Sequence, residues 1–259
     1  MKPTAQTVTN STGVVQLFVS EYAGAMPASY MLVATRAKSK VAIRIAGGCK
    51  NMSGQDKLDM LSFFAEALDG YSGVLCSGGT RQLTADGEVD PMVTDVPGYV
   101  ASTNDGVIAL GTAPRTDVWS LQGESTFVLD GYNTRPNPTM DAILLVQNGP
   151  DAALDWDGDV PTYLSIMAAW QNFAGFNQVG LISWNGGAVT EAEFLATGKR
   201  NWPTILIEGS GRATDDAIQA IREGTAPAEL QGNNVKIVNK SNAGALRGYL
   251  IELGFINIS

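Results

Sequence analysis

The sequence contains no histidine. That absence removes every Ser-His-Asp triad, every Cys-His dyad and every histidine metal site. Any catalysis would fall to carboxylates, Lys, Arg, Tyr, Ser or Cys. Cysteine is scarce as well. Cys49 and Cys76 are the only two, and they form neither a CxxC nor a zinc spacing. Two thiols in 259 residues exclude a disulfide framework and suit a reducing compartment. No stretch reaches the ~18 consecutive apolar residues of a membrane span. The opening MKPTAQTVTNSTG lacks the charged-then-apolar layout of a secretory signal. The expectation is a soluble, cytoplasmic chain with no membrane insertion. Basic charge is also in deficit: 17 Lys and Arg stand against 26 Asp and Glu, a net charge of −9. Duplex nucleic acid demands many cationic phosphate contacts and is not an expected partner. A small phosphorylated ligand is compatible, because loop amides and one or two arginines suffice to hold it.

What the sequence does contain is an alternation of short apolar runs and amphipathic stretches. Residues 41–46 (VAIRIA), 73–76 (GVLC), 107–110 (VIAL), 142–146 (AILLV), 178–184 and 204–208 (TILIE) read as strands, with 235–238 as a weaker last one. Leu58, Leu61, Phe64, Ala65 and Leu68 fall at helical spacing, with Gly70 as a stop. A second helix is expected from about Asp159, with Pro161 in its first turn and Tyr163, Leu164, Met167 and Trp170 on one face. A third opens at the glycine turn after TILIE and stops at Gly224, and a last covers about 243–253. This pattern predicts an α/β protein with a mainly parallel sheet. The length suits one domain over 41–259, with residues 1–40 as an extension, edge strand or oligomer contact.

Glycines cluster where strands end, which is where open parallel sheets bind ligands. Gly209-Ser210-Gly211-Arg212 follows TILIE directly. Such a strand-turn-helix can expose amides at a helix N-terminus to an anion, with Arg212 as the counter-charge; the alternative is a tight turn that simply needs small residues. Asp215 and Asp216, next in the helix, act either as dipole-compensating acids or as a hydroxyl acceptor or general base. Ser77-Gly78-Gly79-Thr80-Arg81 is a second candidate phosphate loop, again with a plain turn as its alternative. Gly47-Gly48 and Asn148-Gly149 close two further strands. The GxGxxG fingerprint fails because Thr214 holds its third glycine position, and no Walker pattern is present. Asp155, Asp157 and Asp159 do not make a calcium loop: the required Gly and Glu positions hold Val160 and Ile166. Cys76 lies within an apolar strand as an inert buried thiol, while Cys49 precedes Lys50, which would lower its pKa, with a nucleophile there only a minor reading. Trp156, Trp170, Trp184 and Trp202 lie beside loops or on helices, as core residues or as a base-stacking surface.

The order IAGG, CSGGT, IALGTAPR, AILLVQNG, PTILIEGSGRATDDAI resembles the SLOG superfamily. Within it, the sequence is most similar to the LSDAT branch, found at the cytoplasmic N-terminus of melastatin-type TRP channels and in related bacterial proteins. Arg115 stands where the channels usually carry Trp. The resemblance spans residues 40–224 and implies a Rossmann-like, doubly wound sheet with helices on both faces. It further implies a nucleotide-derived ligand such as ADP-ribose or a cyclic ADP-ribose signal, with no required cofactor and no metal. By that resemblance the ligand contacts would be Gly47, Gly48, Gly78, Gly79, Thr80, Arg81, Arg115, Asn148, Gly149, Gly209, Ser210, Gly211, Arg212 and Asp215. Related antiphage effectors use such a domain as a sensor, which implies self-assembly or an effector partner here. The LOG branch instead hydrolyses nucleoside monophosphates with a PGGxGTxxE motif. Here that stretch reads EGSGRATDD, with Asp215 or Asp216 as the available acids. A third reading is an oligomeric scaffold with a degenerate pocket.

Overall fold

The computed structural model describes residues 4–9, 15–22, 36–82, 91–114, 134–147 and 159–257. Strands β1 (Thr4–Thr9), β2 (Val15–Tyr22), β3 (Val41–Gly48), β4 (Val74–Gly78), β6 (Ile108–Pro114), β8 (Ala142–Gln147), β9 (Gln178–Asn185), β10 (Thr204–Glu208) and β11 (Val235–Asn239) form one sheet. Its order is β1-β2-β8-β6-β4-β3-β9-β10-β11, and only the β1–β2 pairing is antiparallel. A short ribbon pairs β5 (Thr80–Gln82) with β7 (Thr134–Pro136). The helices among the described residues are α1 (Gly54–Ala67), α2 (Val96–Thr103), α3 (Asp159–Phe173), α4 (Ala188–Lys199), α5 (Arg212–Glu223) and α6 (Ala243–Glu252). None is long and apolar enough to cross a membrane.

Alternation along β3 sorts its residues between two layers. Val41, Ile43 and Ile45 join Met60, Phe63 and Phe64 of α1, Val96 and Val100 of α2, and Leu246 and Leu250 of α6. Ala42 and Ala46 face the other layer, where α3 covers Val74, Cys76 and Leu110, and α4 and α5 cover Leu181 and Leu206. Helices therefore lie on both faces, in the doubly wound, Rossmann-like manner. The reason is the path of the chain. From β3 it steps through β4, β6 and β8 in one direction, then returns through α3 to β9 on the other side of β3 and continues through β10 to β11. Crossovers of one hand put their helices on opposite faces when the direction of travel reverses. The reversal lies between β3 and β9, and the crevice beyond the carboxyl ends of such strands is the usual ligand position.

Several strands outrun their sequence-based limits. Gly47 and Gly48 lie inside β3, because they pair in register with Trp184 and Asn185 of β9. β6 continues through Gly111 to Pro114, held between β4 and β8. Helices α2 and α4 are not read from the sequence. The first is short and carries Pro97 and Gly98; the second starts from Gly187, which supplies no side-chain cap. By contrast, α1 begins with a reciprocal Ser53–Asp56 capping box, and α5 ends on Gly224 at φ 71°, as its glycine suggests.

One polar residue interrupts the β3 core. Arg44 Nε donates to Glu193 Oε1 of α4 at 2.9 Å, and its guanidinium carbon lies 3.7 Å from the Tyr163 ring centre. Both charges are buried. Burial pushes the Glu193 carboxyl above its ordinary range, with Arg44 pulling against that shift.

Candidate functional site

A cavity of about 490 Å³ opens beyond the carboxyl ends of β3, β9, β10 and β11. That is within the size range of small-molecule sites. One wall is the first turns of α1, with Asp56 and Asp59; the opposite wall is the Gly209–Arg212 turn. Lys50 follows β3 and Lys240 follows β11, and Trp184 and Asn185 end β9. Left-handed backbone concentrates here: Asn185 (φ 56°), Gly186 (87°), Gly209 (78°), Gly211 (106°) and Arg212 (48°). For an arginine this conformation costs about 1–2 kcal/mol and persists only where surrounding structure enforces it.

The enforcing contacts are specific. Ser210 Oγ donates to Ile207 O at 2.6 Å and accepts from Asn185 N at 2.8 Å. Thr214 Oγ1 donates to Asn185 O at 2.7 Å and meets Ser183 Oγ at the same distance. These bonds tie the turn after β10 to the tip of β9. Asp215 completes it: Gly209 N donates to Oδ1 at 2.8 Å and Gly211 N to Oδ2 at 3.0 Å. The two amides that a sequence reading would offer to a phosphate are thus already held by a carboxylate of the same helix.

The free electrostatic capacity lies elsewhere in the cavity. Among the described residues, Lys50 and Arg212 pair with no carboxylate, and Lys240 Nζ lies 4.0 Å from Asp56 Oδ1. Asp56 is held below the usual carboxylate range by bonds from the Ser53 side chain and backbone. Two polar atoms stand out. Trp184 Nε1 and Asn185 Oδ1 are buried and have no hydrogen-bond partner. The Trp184 ring packs on Phe63 and Phe64 at 5.3 and 5.5 Å, and Asn185 Nδ2 donates to Lys50 O. An unmatched buried donor or acceptor costs about 1–3 kcal/mol.

The glycine loop after β4 is built differently. Gly79 N donates to Thr112 O at 2.5 Å, and Asn137 N donates to Gly79 O at 2.8 Å. A side chain on Gly111 would run into the Gly79 Cα, and one on Gly78 would meet Thr94 at 2.8 Å. These glycines let the β5–β7 ribbon lie against β6. Thr80 and Arg81 belong to that ribbon, and Arg81 Nε lies 3.0 Å from buried Asp95 Oδ1, which also accepts from Asn137 Nδ2. Gly78 to Arg81 do not line the cavity. Gly47 and Gly48 sit beside it: a side chain on Gly47 would strike Trp184 O, and Gly48 approaches Gly186. Asp216 faces a second cavity, of about 460 Å³, between α4 and α5. Arg115, Asn148, Gly149, Asp155, Trp156 and Asp157 lie outside the described residues. Trp170 is core, stacked on Phe176, and Trp202 Nε1 donates to Gln171 Oε1. No group of three or more metal-ligating side chains occurs among the described residues.

The family model described as "SLOG in TRPM, prokaryote" matches residues 94–246, more than half of the chain. The chain belongs to this SLOG family. The matched span runs from just before α2 into α6 and includes the EGSGRATDD turn, while IAGG and SGGT precede it. No curated protein matches at the sequence level. Among solved structures, the SLOG chain is similar to the structural-genomics target TM1055, with 17% identity over 82% of this chain and 99% of that one, at a TM-score of 0.48. It is also similar to the molybdenum cofactor carrier protein of Chlamydomonas reinhardtii, with 16% identity over 82% and 98% and a TM-score of 0.46.

Sequence reasoning on this SLOG chain missed Lys50, Asn51, Asp56, Asp59, Asn185, Lys240 and Ser241 as cavity residues. A usable signal existed for some of them. Asn185 and Lys240 follow the predicted strands 178–184 and 235–238 within two residues, and Lys50 follows the end of β3 by two, near the position the strand-end rule favours. Asp56 and Asp59 carry no such mark, since α1 reaches the cavity only through packing.

Proposed function

We propose that the protein binds a nucleotide-derived small molecule at the cavity beyond β3, β9, β10 and β11, and that it senses this ligand rather than consuming it. The observation that carries the reading is the pair of buried polar atoms, Trp184 Nε1 and Asn185 Oδ1, unpartnered among the described residues, in the lining of a cavity where Lys50 and Arg212 pair with no described carboxylate. A spare donor and a spare acceptor in the lining residues suit a sugar hydroxyl or base edge, and the cations suit phosphate. Family membership favours an ADP-ribose-like compound, linear or cyclic, and a signalling role of the antiphage kind. Anion binding falls on Arg212, Lys50 and Lys240 rather than on the Gly209 and Gly211 amides, which Asp215 occupies. A sensor must report, so we further propose ligand-dependent self-assembly or an effector partner.

The test is a thermal-shift screen against ADP-ribose, its cyclic isomers, NAD, AMP and GTP. A ligand at 100 times its Kd stabilises by about 2.7 kcal/mol, a rise of a few degrees for a domain of this size. A selective rise that is lost in Arg212→Ala supports the reading; a flat screen favours a scaffold with a degenerate pocket. Chromatography of the same mixtures tests the hydrolytic alternative. Asp215 has both oxygens engaged by amides, which favours intact nucleotide over released base.

A further inference from the structure

Arg212 lines both cavities, the one beside α1 and the one between α4 and α5. Its guanidinium lies against Gly187. A side chain on Gly187 would bring a Cβ to 2.8 Å from Arg212 Nη2, so the glycine provides the space in which the guanidinium lies. Both α4 and α5 start at this point, from Gly187 and Gly211, and neither N-cap supplies a side-chain bond. Among the described residues Arg212 pairs with no carboxylate, and it is the cation at this junction, with Glu191 and Asp215 in the first turns of the same two helices. Beneath it Asn185, 2% exposed, holds its unpartnered Oδ1. The adjoining tip residue, Gly186, lines the second cavity.

We propose that the two cavities are halves of one site. A ligand with an organic group on each side of a phosphate link lies across the tip of β9. Its link rests on Arg212, one group fills the cavity beside α1, and the other lies between α4 and α5. This rests on the nucleotide-binding reading above and extends it to a two-sided ligand. The second cavity has the chemistry for a sugar or an amine-bearing ring. Glu191 and Asp216 offer acceptors at its rim, over an apolar wall that includes Phe194, Ala217 and Leu230. Each cavity alone is within the size range of a complete small-molecule site. A one-sided ligand therefore fills only one of them.

The experiment is calorimetric titration of the full chain with AMP, a one-sided probe, and ADP-ribose, a two-sided one. Three proteins are compared: wild type, Ala188→Trp and Arg212→Ala. Ala188 is exposed and lines the second cavity, so a bulky residue there obstructs that cavity without disturbing the core. The expected result is ADP-ribose binding at least about tenfold tighter than AMP to wild type, a difference of 1.4 kcal/mol. Ala188→Trp should weaken ADP-ribose more than AMP and so erase that advantage, while Arg212→Ala weakens both probes. Equal affinity for the two probes in wild type overturns the proposal and leaves nucleotide binding intact. So does an Ala188→Trp variant that weakens neither probe, or both alike. Binding of neither probe overturns the nucleotide reading and the two-sided site together.

Discussion

Asp215 shows how a single side chain can redirect the chemistry of a turn. Its two oxygens take the amides of Gly209 and Gly211, so it plays toward this turn the part that a bound phosphate plays in related loops. Removing it leaves two amides and a left-handed Arg212 without their restraint. Asp215→Ala is expected to lower stability by about 1–2 kcal/mol, from the loss of hydrogen bonds to a charged acceptor. Urea denaturation measures this, and no change in midpoint would mean that the turn holds without the carboxylate. The cysteines give a second residue-scale prediction. Burial pushes the Cys76 thiol up to about 12, with Arg44 pulling it the other way, whereas Cys49 is half-exposed and accepts from Val93 N. At pH 8 a thiol reagent should label one cysteine per folded chain, Cys49, and the second only after unfolding. Two rapidly reacting thiols in the folded protein would contradict the burial of Cys76.

Among elements, the contact of β3 with α4 and α3 depends on a charge pair within an apolar layer. Arg44 and Glu193 are each over 90% buried, and Arg44 Nη1 has no hydrogen-bond partner. Such a pair is worth little compared with apolar residues of the same shape, yet breaking it strands a charge. Glu193→Gln should therefore cost about 3–5 kcal/mol, and the double change Arg44→Met with Glu193→Leu should recover most of that loss. Chemical denaturation of the three variants checks both statements; a double variant as unstable as the single one would assign the pair a different role. The β5–β7 ribbon makes a steric prediction. It approaches β6 so closely that a methyl group on Gly111 would collide with the Gly79 Cα. Backbone cannot yield as a side chain can. Gly111→Ala should destabilise by about 1–3 kcal/mol, the usual range for overpacking, with melting temperature as the readout. The same contact explains why SGGT looked like a ligand loop in the sequence. Glycine marks close approach, and sequence does not say whether a phosphate or another strand approaches.

Taken whole, the nine-stranded sheet of the described residues has two unequal edges. β11 ends one side under α6, and the other side is extended beyond β8 by β2 and then β1. β2 pairs with β8 over six residues, from Leu17 with Ala142 to Tyr22 with Gln147. Deleting residues 1–35 would turn β8 into an open edge, a ready template for pairing with another chain. The shortened protein should self-associate on size-exclusion chromatography with light scattering, at concentrations where the full chain does not change its mass. Identical masses for the two forms would show that the β8 edge is otherwise protected.

Much of the architecture was legible because it depends on local alternation. Runs such as VAIRIA and TILIE are short and flanked by glycine or turn residues, and the stretches between them have helical spacing, so a mainly parallel sheet followed from pattern alone. Helices α2 and α4 were not legible, since Pro97, Gly98 and the bare Gly187 cap erase the usual start and stop signals. The Gly209–Arg212 turn reads in the sequence as a candidate anion loop with a plain tight turn as its alternative, and it lines a cavity wall. Its use was not readable. That Asp215 folds back onto the turn depends on the backbone path the packing imposes, and that Arg81 is held by Asp95 and that Asp56 and Asp59 line one cavity with Lys50 and Lys240 are long-range matters.

The sequence by itself determined the strand and helix alternation, the exclusion of histidine chemistry, and the family, because these rest on residue identity and near-neighbour spacing. Only the tertiary structure decided where the strand order reverses and which glycine turn faces open space. It also decided that a carboxylate already occupies the turn amides. Each of these depends on contacts between segments far apart in the chain, and only packing brings such segments together.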